Sequence, residues 1–318
     1  MKLKKNMNKN NSWKTGSVPI AVVMISLNEG HNLKDVCENL NGWAQEVFLV
    51  DSYSKDDTID IALNYGINTV QRRFRGFGDQ WNFALNELPI QSPWVMKLDP
   101  DERLTEELKN NISQMIDNNQ FVDDSPGTWV QTSINTYDAF CFKRRLWFMG
   151  KQMPVYQKLI RIWRNGSCRF SNVLVNEHPI IEGIVKYVVG DLEHHDSPNL
   201  DHWLEKQNRY TTSEAITTYQ KKPLSDKEIL FGTSLQRRMW LKKNFYKFPF
   251  RYFFLFLYHF LYQGAFRAGR AGYIWSRLRA DVMRLVDYKY MEMKITNAIP
   301  SKHLYGSGEQ DKRVINYD

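Results

Sequence analysis

Two aspartates stand two residues apart in Asp99-Pro100-Asp101, directly after the apolar run Trp94 to Leu98. Carboxylate oxygens at that spacing can hold Mg²⁺ or Mn²⁺ while the ion also bridges to substrate phosphates, because both ions prefer hard oxygen donors. A lone Asp-X-Asp is also what a solvated turn before a helix looks like, so position decides its meaning. Two other polar clusters follow apolar runs in the same way: Ser26-Leu27-Asn28-Glu29 and Asp51-Ser52-Tyr53-Ser54. The latter continues through Lys55-Asp56-Asp57-Thr58 into a helix. Ser54 or Asp56 is its expected N-cap, and a helix start suits an anion or a nucleotide hydroxyl. Arg72, Arg73 and Arg75 adjoin Gly76-Phe77-Gly78, and guanidinium groups on flexible backbone suit phosphate.

The elements that must position these residues follow from apolar periodicity. Residues 18–26 are a near-continuous run rich in β-branched side chains, which reads as a strand buried on both faces. Leu33, Val36, Cys37 and Leu40 recur at helical spacing, and Gly42 stops that helix. Val47 to Val50, Ile67 to Val70 and Trp94 to Leu98 read as further strands. Ile59, Ala62 and Leu63 mark one helix between them, and Trp81, Ala84, Leu85 and Leu88 another. Such alternation implies an α/β unit with a parallel sheet, whose ligands bind beyond the carboxyl ends of the strands. All three polar clusters fall at such ends. Thr105 to Ile116 reads as an amphipathic helix with Glu106 and Glu107 in its first turn. The runs TWVQTSI, QKLIRIW and GIVKYVVGDL suggest a more antiparallel stretch from 128 to 192, and from about 201 to 293 the pattern is helical.

The chain has 318 residues, 42% apolar and 25% charged, a globular composition large enough for one big domain or two ordinary ones. A net charge of +8 suggests an anionic partner. Cys37, Cys141 and Cys168 are odd in number and widely spaced, which excludes a disulfide scaffold and a zinc-ligand pattern and points to a reducing compartment. Residues 1–17 are basic and polar without an apolar core and read as a mobile tail rather than a signal peptide. From Lys221 to Lys289 there are 15 Lys and Arg against four acids, interleaved with aromatic residues such as Phe253, Phe254 and Phe256. An aromatic helix bordered by cations suits the plane of an anionic bilayer, over residues 237–279, or packs on its own core or a second subunit. No nucleic-acid motif accompanies the charge, and a nucleic-acid partner is not expected.

The ordered set VVMISLNE, VDSYSKDDT, RRFRGFGDQWNFAL and KLDPDE, continuing through RIWRNG, VNEH, GDLEHH, LEKQNRYTT and GRAGY, resembles the family 2 glycosyltransferases of the GT-A fold. More narrowly, it is similar to the bacterial lipopolysaccharide-core or surface-polysaccharide glucosyltransferases. The resemblance covers about 18–290. It implies a Rossmann-like nucleotide-binding half with a mixed sheet over 18–117, an acceptor-binding half over 118–200 and a helical membrane-interface region over 201–293; residues 294–318 read as a polar tail. It implies inverting transfer of a sugar from a nucleotide-sugar donor, a UDP-sugar, to a glycolipid or lipid-linked glycan at the cytoplasmic face of the inner membrane. By the same resemblance Ser26, Asn28 and Glu29 lie near the nucleotide. Asp51 and Ser52 match the base- and ribose-binding pair, where many members carry two acids. Asp99 and Asp101 match the metal and diphosphate motif. Trp81 stands where the family often has Arg or Lys, so Arg72 or Arg75 is left to contact phosphate. Glu177 matches the family's acidic position and is the expected base, with Asp191 as fallback. His194 is expected to complete the metal shell or touch the diphosphate, with its neighbour His195 as the competing choice. A nucleotidyltransferase on a similar sheet is a rival reading, disfavoured because no Gly-rich, Lys-containing phosphate loop is evident. A non-catalytic membrane adaptor is another, disfavoured by Asp99, Asp101 and Glu177 together.

Overall fold

A computed structural model describes residues 14–118, 137–171, 178–220, 240, 244 and 248–300. The tail at 1–13, the run TWVQTSI, Glu177 and much of the stretch from 221 to 247 lie outside the described residues.

The described residues form two compact units. The first holds those up to Leu146 together with Tyr156–Asp196. Its sheet begins with β1 (Val18–Ser26), β2 (Ala44–Asp51), β3 (Asn68–Gln71) and β4 (Trp94–Lys97), connected by α1 (Gly30–Leu40), α2 (Thr58–Asn64) and α3 (Phe77–Glu87). A short strand β5 (Glu102–Leu104) and helix α4 (Glu106–Asp117) follow, then β6 (Ala139–Phe148), β7 (Lys151–Arg164), β8 (Cys168–Phe170), β9 (Pro179–Ile181) and β10 (Val185–His194). Eight strands join in the order β3-β2-β1-β4-β7-β6-β10-β5, while β8 and β9 form a separate antiparallel pair. The first four are mutually parallel, β7 runs antiparallel to β4, β10 is parallel to β6, and β5 closes the edge antiparallel to β10. The expected α/β unit with a mixed sheet is therefore present. Its second half departs from the expectation of short antiparallel runs: β6, β7 and β10 are long, and β6 pairs with β10 in parallel.

Alternation along β1 explains why helices cover both faces. Val18, Ile20, Val22 and Met24 face Leu33, Val36 and Leu40 of α1 and Leu108, Ile112 and Ile116 of α4. Ala21 and Val23 face Trp81, Ala84 and Leu88 of α3. A strand buried on both sides has no polar face, hence its unbroken apolar sequence. Trp81 is fully buried and stacks on Phe170 at 5.8 Å, with Lys97 Nζ 4.3 Å from its ring centroid. Its place in the core accounts for the missing cation at that position.

The second unit holds Trp147–Val155 and the described residues from Ser197 onward. It contains α5 (Leu200–Tyr219), α6 (Arg251–Leu257) running on as a π-helical turn (Tyr258–Tyr262), a 3₁₀ turn (Ala265–Ala268) and α7 (Gly269–Thr296). Lys289 Nζ of α7 donates to the Asn208 carbonyl and to Asn208 Oδ1, Thr211 Oγ1 and Thr212 Oγ1 of α5 at 2.6–2.8 Å, which fixes the two helices together. No described helix is long and apolar enough to cross a membrane. All three cysteines are free, and burial pushes the Cys37 and Cys168 thiols up to about 12, so both are inert.

Candidate active site

The three polar clusters meet at the carboxyl ends of β1, β2 and β4. Between β1 and β2 the loops are stitched backbone to side chain. Asn28 N–H donates to Ser54 Oγ at 2.7 Å, Lys55 N–H to Asn28 Oδ1 at 2.8 Å, Glu29 N–H to Thr58 Oγ1 at 2.8 Å and Gly30 N–H to Asp56 Oδ2 at 3.0 Å. Asn28 and Tyr53 both sit at positive φ, 55° and 60°. Left-handed backbone is tolerable for Asn but costly for Tyr, and such strain collects where a loop is over-determined by its neighbours. The expected N-cap is corrected in detail. Helix α2 starts at Thr58 with Asp57 in the cap position, and the oxygen that accepts the Thr58 N–H belongs to Asp56, at 3.1 Å. Ser54 is engaged elsewhere.

Asp51 is fully buried, and its two oxygens accept four donors. Ser26 Oγ at 3.0 Å and Ser54 Oγ meet Oδ1, while Ser54 N–H at 2.9 Å and Gln71 Nε2 at 3.1 Å meet Oδ2. A carboxylate offers about four lone-pair sites, and these four donors match that number. Ser52 Oγ accepts from Gln80 Nε2 at 3.3 Å. Residues that the resemblance places on the nucleotide here tie the loops together. Arg72 pairs with Asp79 at 2.5 Å and Gln80 at 2.7 Å, both in the first two turns of α3. Arg75 is exposed.

The turn after β4 is the best-braced part of the site. Arg103 Nη1 donates to the carbonyls of Pro100 and Glu102 at 2.6 and 2.8 Å, and its Nη2 to that of Asn32 at 2.8 Å. Asp99 N–H donates to Glu102 Oε2 at 3.0 Å. From β7, the buried Arg161 donates through Nη2 to Asp99 Oδ2 at 3.0 Å and also to Glu102 Oε1, which Arg144 reaches at 3.3 Å. Burial alone would raise the Asp99 carboxyl; Arg161, and then Lys97, outweigh it and hold it near 2. Glu102, wholly buried, is raised by that burial despite Arg161. Glu102 ends the KLDPDE motif and Arg161 opens RIWRNG, but nothing in those patterns pairs one with the other.

Asp101 turns the other way. His194, the last residue of β10, brings Nε2 to 3.3 Å from Asp101 Oδ2 and 3.7 Å from Asp196 Oδ1. One donor atom from each of Asp101, His194 and Asp196 lies within 4.8 Å of the others. Two carboxylate oxygens and one imidazole suit a divalent cation such as Mg²⁺ or Mn²⁺, with positions to spare for other oxygens. His195 is held apart: its ring meets Glu193 Oε2 at 3.1 Å, while its backbone N–H donates to the Asp101 carbonyl at 2.8 Å. Asp196 is missing from the sequence reading, although its place two residues beyond His194 at a strand end was the available signal. Asp191 lies three residues before His194, on the opposite face of β10 by strand alternation, and pairs with Arg145 of β6.

Residues 21–168 match the sequence profile described as Glycosyl transferase family 2. The chain is similar to that family over those residues, a little under half of its length. The matched residues run from within β1 to the first residue of β8 and take in the Asp99-Pro100-Asp101 turn and Arg161, while His194 and Asp196 lie beyond them. An uncharacterized glycosyltransferase of Rickettsia prowazekii (strain Madrid E) is 24% identical over 211 residues, 62% of this chain and 66% of that protein, so just under two thirds of its length is spanned. Among solved structures, S. aureus TarS 1-349 is similar with a TM-score of 0.36 at 12% identity, over 92% of this chain and 99% of that one. Glucosyl-3-phosphoglycerate synthase from Mycobacterium tuberculosis, in complex with Mn²⁺, UDP and glucosyl-3-phosphoglycerate, gives 0.36 at 15% identity, over 67% and 84%. Structural likeness at that level carries no functional conclusion.

Proposed function

We propose that the protein transfers a sugar, with inversion, from a nucleotide-sugar donor to a glycolipid or lipid-linked glycan acceptor in the building of cell-envelope glycans. The donor is a UDP-sugar and the cofactor is Mg²⁺ or Mn²⁺. The observation that carries this reading is the meeting of Asp101, His194 and Asp196 beside a braced Asp99, at the strand ends of a chain similar to family 2 glycosyltransferases over residues 21–168. A bound divalent cation would supply positive charge against the diphosphate as it departs. The chain's own part is to keep that cradle rigid: Arg103 and Glu102 clamp the turn, and Arg161 keeps Asp99 ionised.

An inverting transfer also needs a carboxylate to take the acceptor hydroxyl proton, on the side opposite the leaving group. Glu177 is our choice. Asp191 is the weaker candidate, because Arg145 already engages it on the other face of β10.

The test is release of UDP from a panel of UDP-sugars with Mn²⁺ or Mg²⁺. The wild type should hydrolyse one of them slowly without acceptor, and Asp101→Ala should not. Pyrophosphate release from a nucleoside triphosphate would favour a nucleotidyltransferase instead, and neither product would favour the adaptor.

A further inference from the structure

Helix α6 and its π-helical continuation present one apolar stripe to solvent. Phe250, Phe253, Phe254, Tyr258, Leu261 and Tyr262 follow the i, i+3, i+4 rhythm of a single helical face and are 45–81% exposed. The opposite face is the one that packs on α7. Arg251 Nη2 and Tyr252 OH both reach Asp287 Oδ2, at 2.9 and 2.6 Å, and the His259 ring lies 5.1 Å from that of Trp275. The helix is thus seated by its polar and mixed side, with its most apolar side turned outward. That is the reverse of a helix that simply completes a core.

What surrounds the stripe is cationic. Between Phe248 and Ala280 the chain has five arginines and no Asp or Glu. Arg267, Arg270 and Arg277 are exposed. Arg277 lies over the Phe256 ring at 5.9 Å, and the Tyr273 ring meets the same Phe256 at 5.7 Å, on the side of α6 that faces α7. The α6 segment and its continuation run from Arg251 to Tyr262, about 18 Å of helix at 1.5 Å per residue, well short of a bilayer core.

We propose that this face lies in the headgroup region of an anionic phospholipid bilayer, aromatic rings inward and arginines on the lipid phosphates. The protein is thereby a monotopic surface binder through its second unit. Aromatic rings favour that zone, and each nearby arginine adds attraction that an acid-free stretch does nothing to cancel. The alternative occupant, a second copy of the chain, would set the same arginines against each other across the interface. This inference stands on the second unit and not on the transferase reading.

Flotation of the full chain with vesicles tests it. Wild type should float with vesicles of equal parts phosphatidylcholine and phosphatidylglycerol, and far less with phosphatidylcholine alone. Phe253→Ser/Phe254→Ser/Tyr262→Ser should lower partitioning by roughly a hundredfold, with circular dichroism and thermal unfolding unchanged. Arg267→Glu/Arg270→Glu should weaken binding to the anionic vesicles only, by roughly tenfold or more, which keeps the test open should the aromatic variant misfold. Wild type that stays at the bottom of the gradient overturns the proposal. So does a wild-type dimer that the aromatic variant turns into a monomer, with vesicles having no effect.

Discussion

Arg161 Nη2 lies 3.0 Å from Asp99 Oδ2 across 62 residues of sequence, and the same nitrogen donates to the fully buried Glu102. One guanidinium thus serves two acids of the turn that holds Asp101. Removing it leaves both carboxylates without their main counter-charge, one of them wholly buried, which is far more costly than losing a surface pair. Arg161→Met should destabilise the first unit by about 3–5 kcal/mol in urea unfolding, and Arg161→Lys by clearly less. A methionine variant as stable as wild type would show that the two acids are paired another way.

His194 and His195 are adjacent: the His194 ring faces the Asp101 carboxylate, while His195 meets the Asp101 carbonyl through its backbone N–H. His194→Ala should weaken Mn²⁺ binding at least about tenfold, read by electron paramagnetic resonance of free Mn²⁺. His195→Ala should leave it near the wild-type value. Equal losses would mean that the cluster is not where the ion sits.

Asp51 with four donors is a structural prediction as well as a description. Asp51→Asn replaces one accepting oxygen by a donating NH₂ that must face another donor, at a cost of about 1–3 kcal/mol. Thermal unfolding should show that loss directly. Unchanged stability together with weakened UDP binding would instead place Asp51 on the nucleotide, as the resemblance implies.

Gly190 occupies the irregularity in β10 where pairing with β6 shifts between Tyr187 and Asp191. Its φ is 112°, and a Cβ there would stand 2.7 Å from the Cα of Leu108 in α4. Gly190→Ala should therefore cost about 1–3 kcal/mol by backbone strain alone, more with the clash, in chemical denaturation. Because the shift precedes His194, the same variant should also loosen Mn²⁺ binding.

Acid sensitivity should reside in the second unit. Burial takes the His259 imidazole from 6.5 down to about 4, with Gln263 opposing the shift and Arg279 adding to it. Gln263 Oε1 lies 2.5 Å from Nδ1, and the rings of Tyr258 and Trp275 complete its surroundings. Its folded value lies below its unfolded one, so in between the unfolded chain binds a proton that the folded chain refuses. The contribution is complete above 6.5 and is lost as the pH falls toward 4, at about 1.4 kcal/mol per pH unit. Urea midpoints across that window should fall in wild type and much less in His259→Gln.

The strands and helices of the first hundred residues were legible because their signals are local. A both-faces-buried strand such as β1 needs an unbroken apolar run, and α1 and α4 need apolar residues at helical spacing; each pattern is written within a dozen residues. The Asp99-Pro100-Asp101 turn was legible for the same reason. The strands β6, β7 and β10 were less so, since a mixed, half-exposed sheet weakens the apolar alternation that marks a strand.

Local order along the chain settled which polar groups stand at strand ends, and with it the kind of chemistry the site could host. The partners of those groups came from folding. Arg161 reaches Asp99, His194 and Asp196 reach Asp101, and Gln71 fills the last position on Asp51, each because sheet pairing and its register bring distant strands side by side. A one-residue change of phase in β10 would point His195 where His194 now points. Spacing in sequence carries no information about that phase, which is set by Gly190, by α4 packed above it and by the strands on either side.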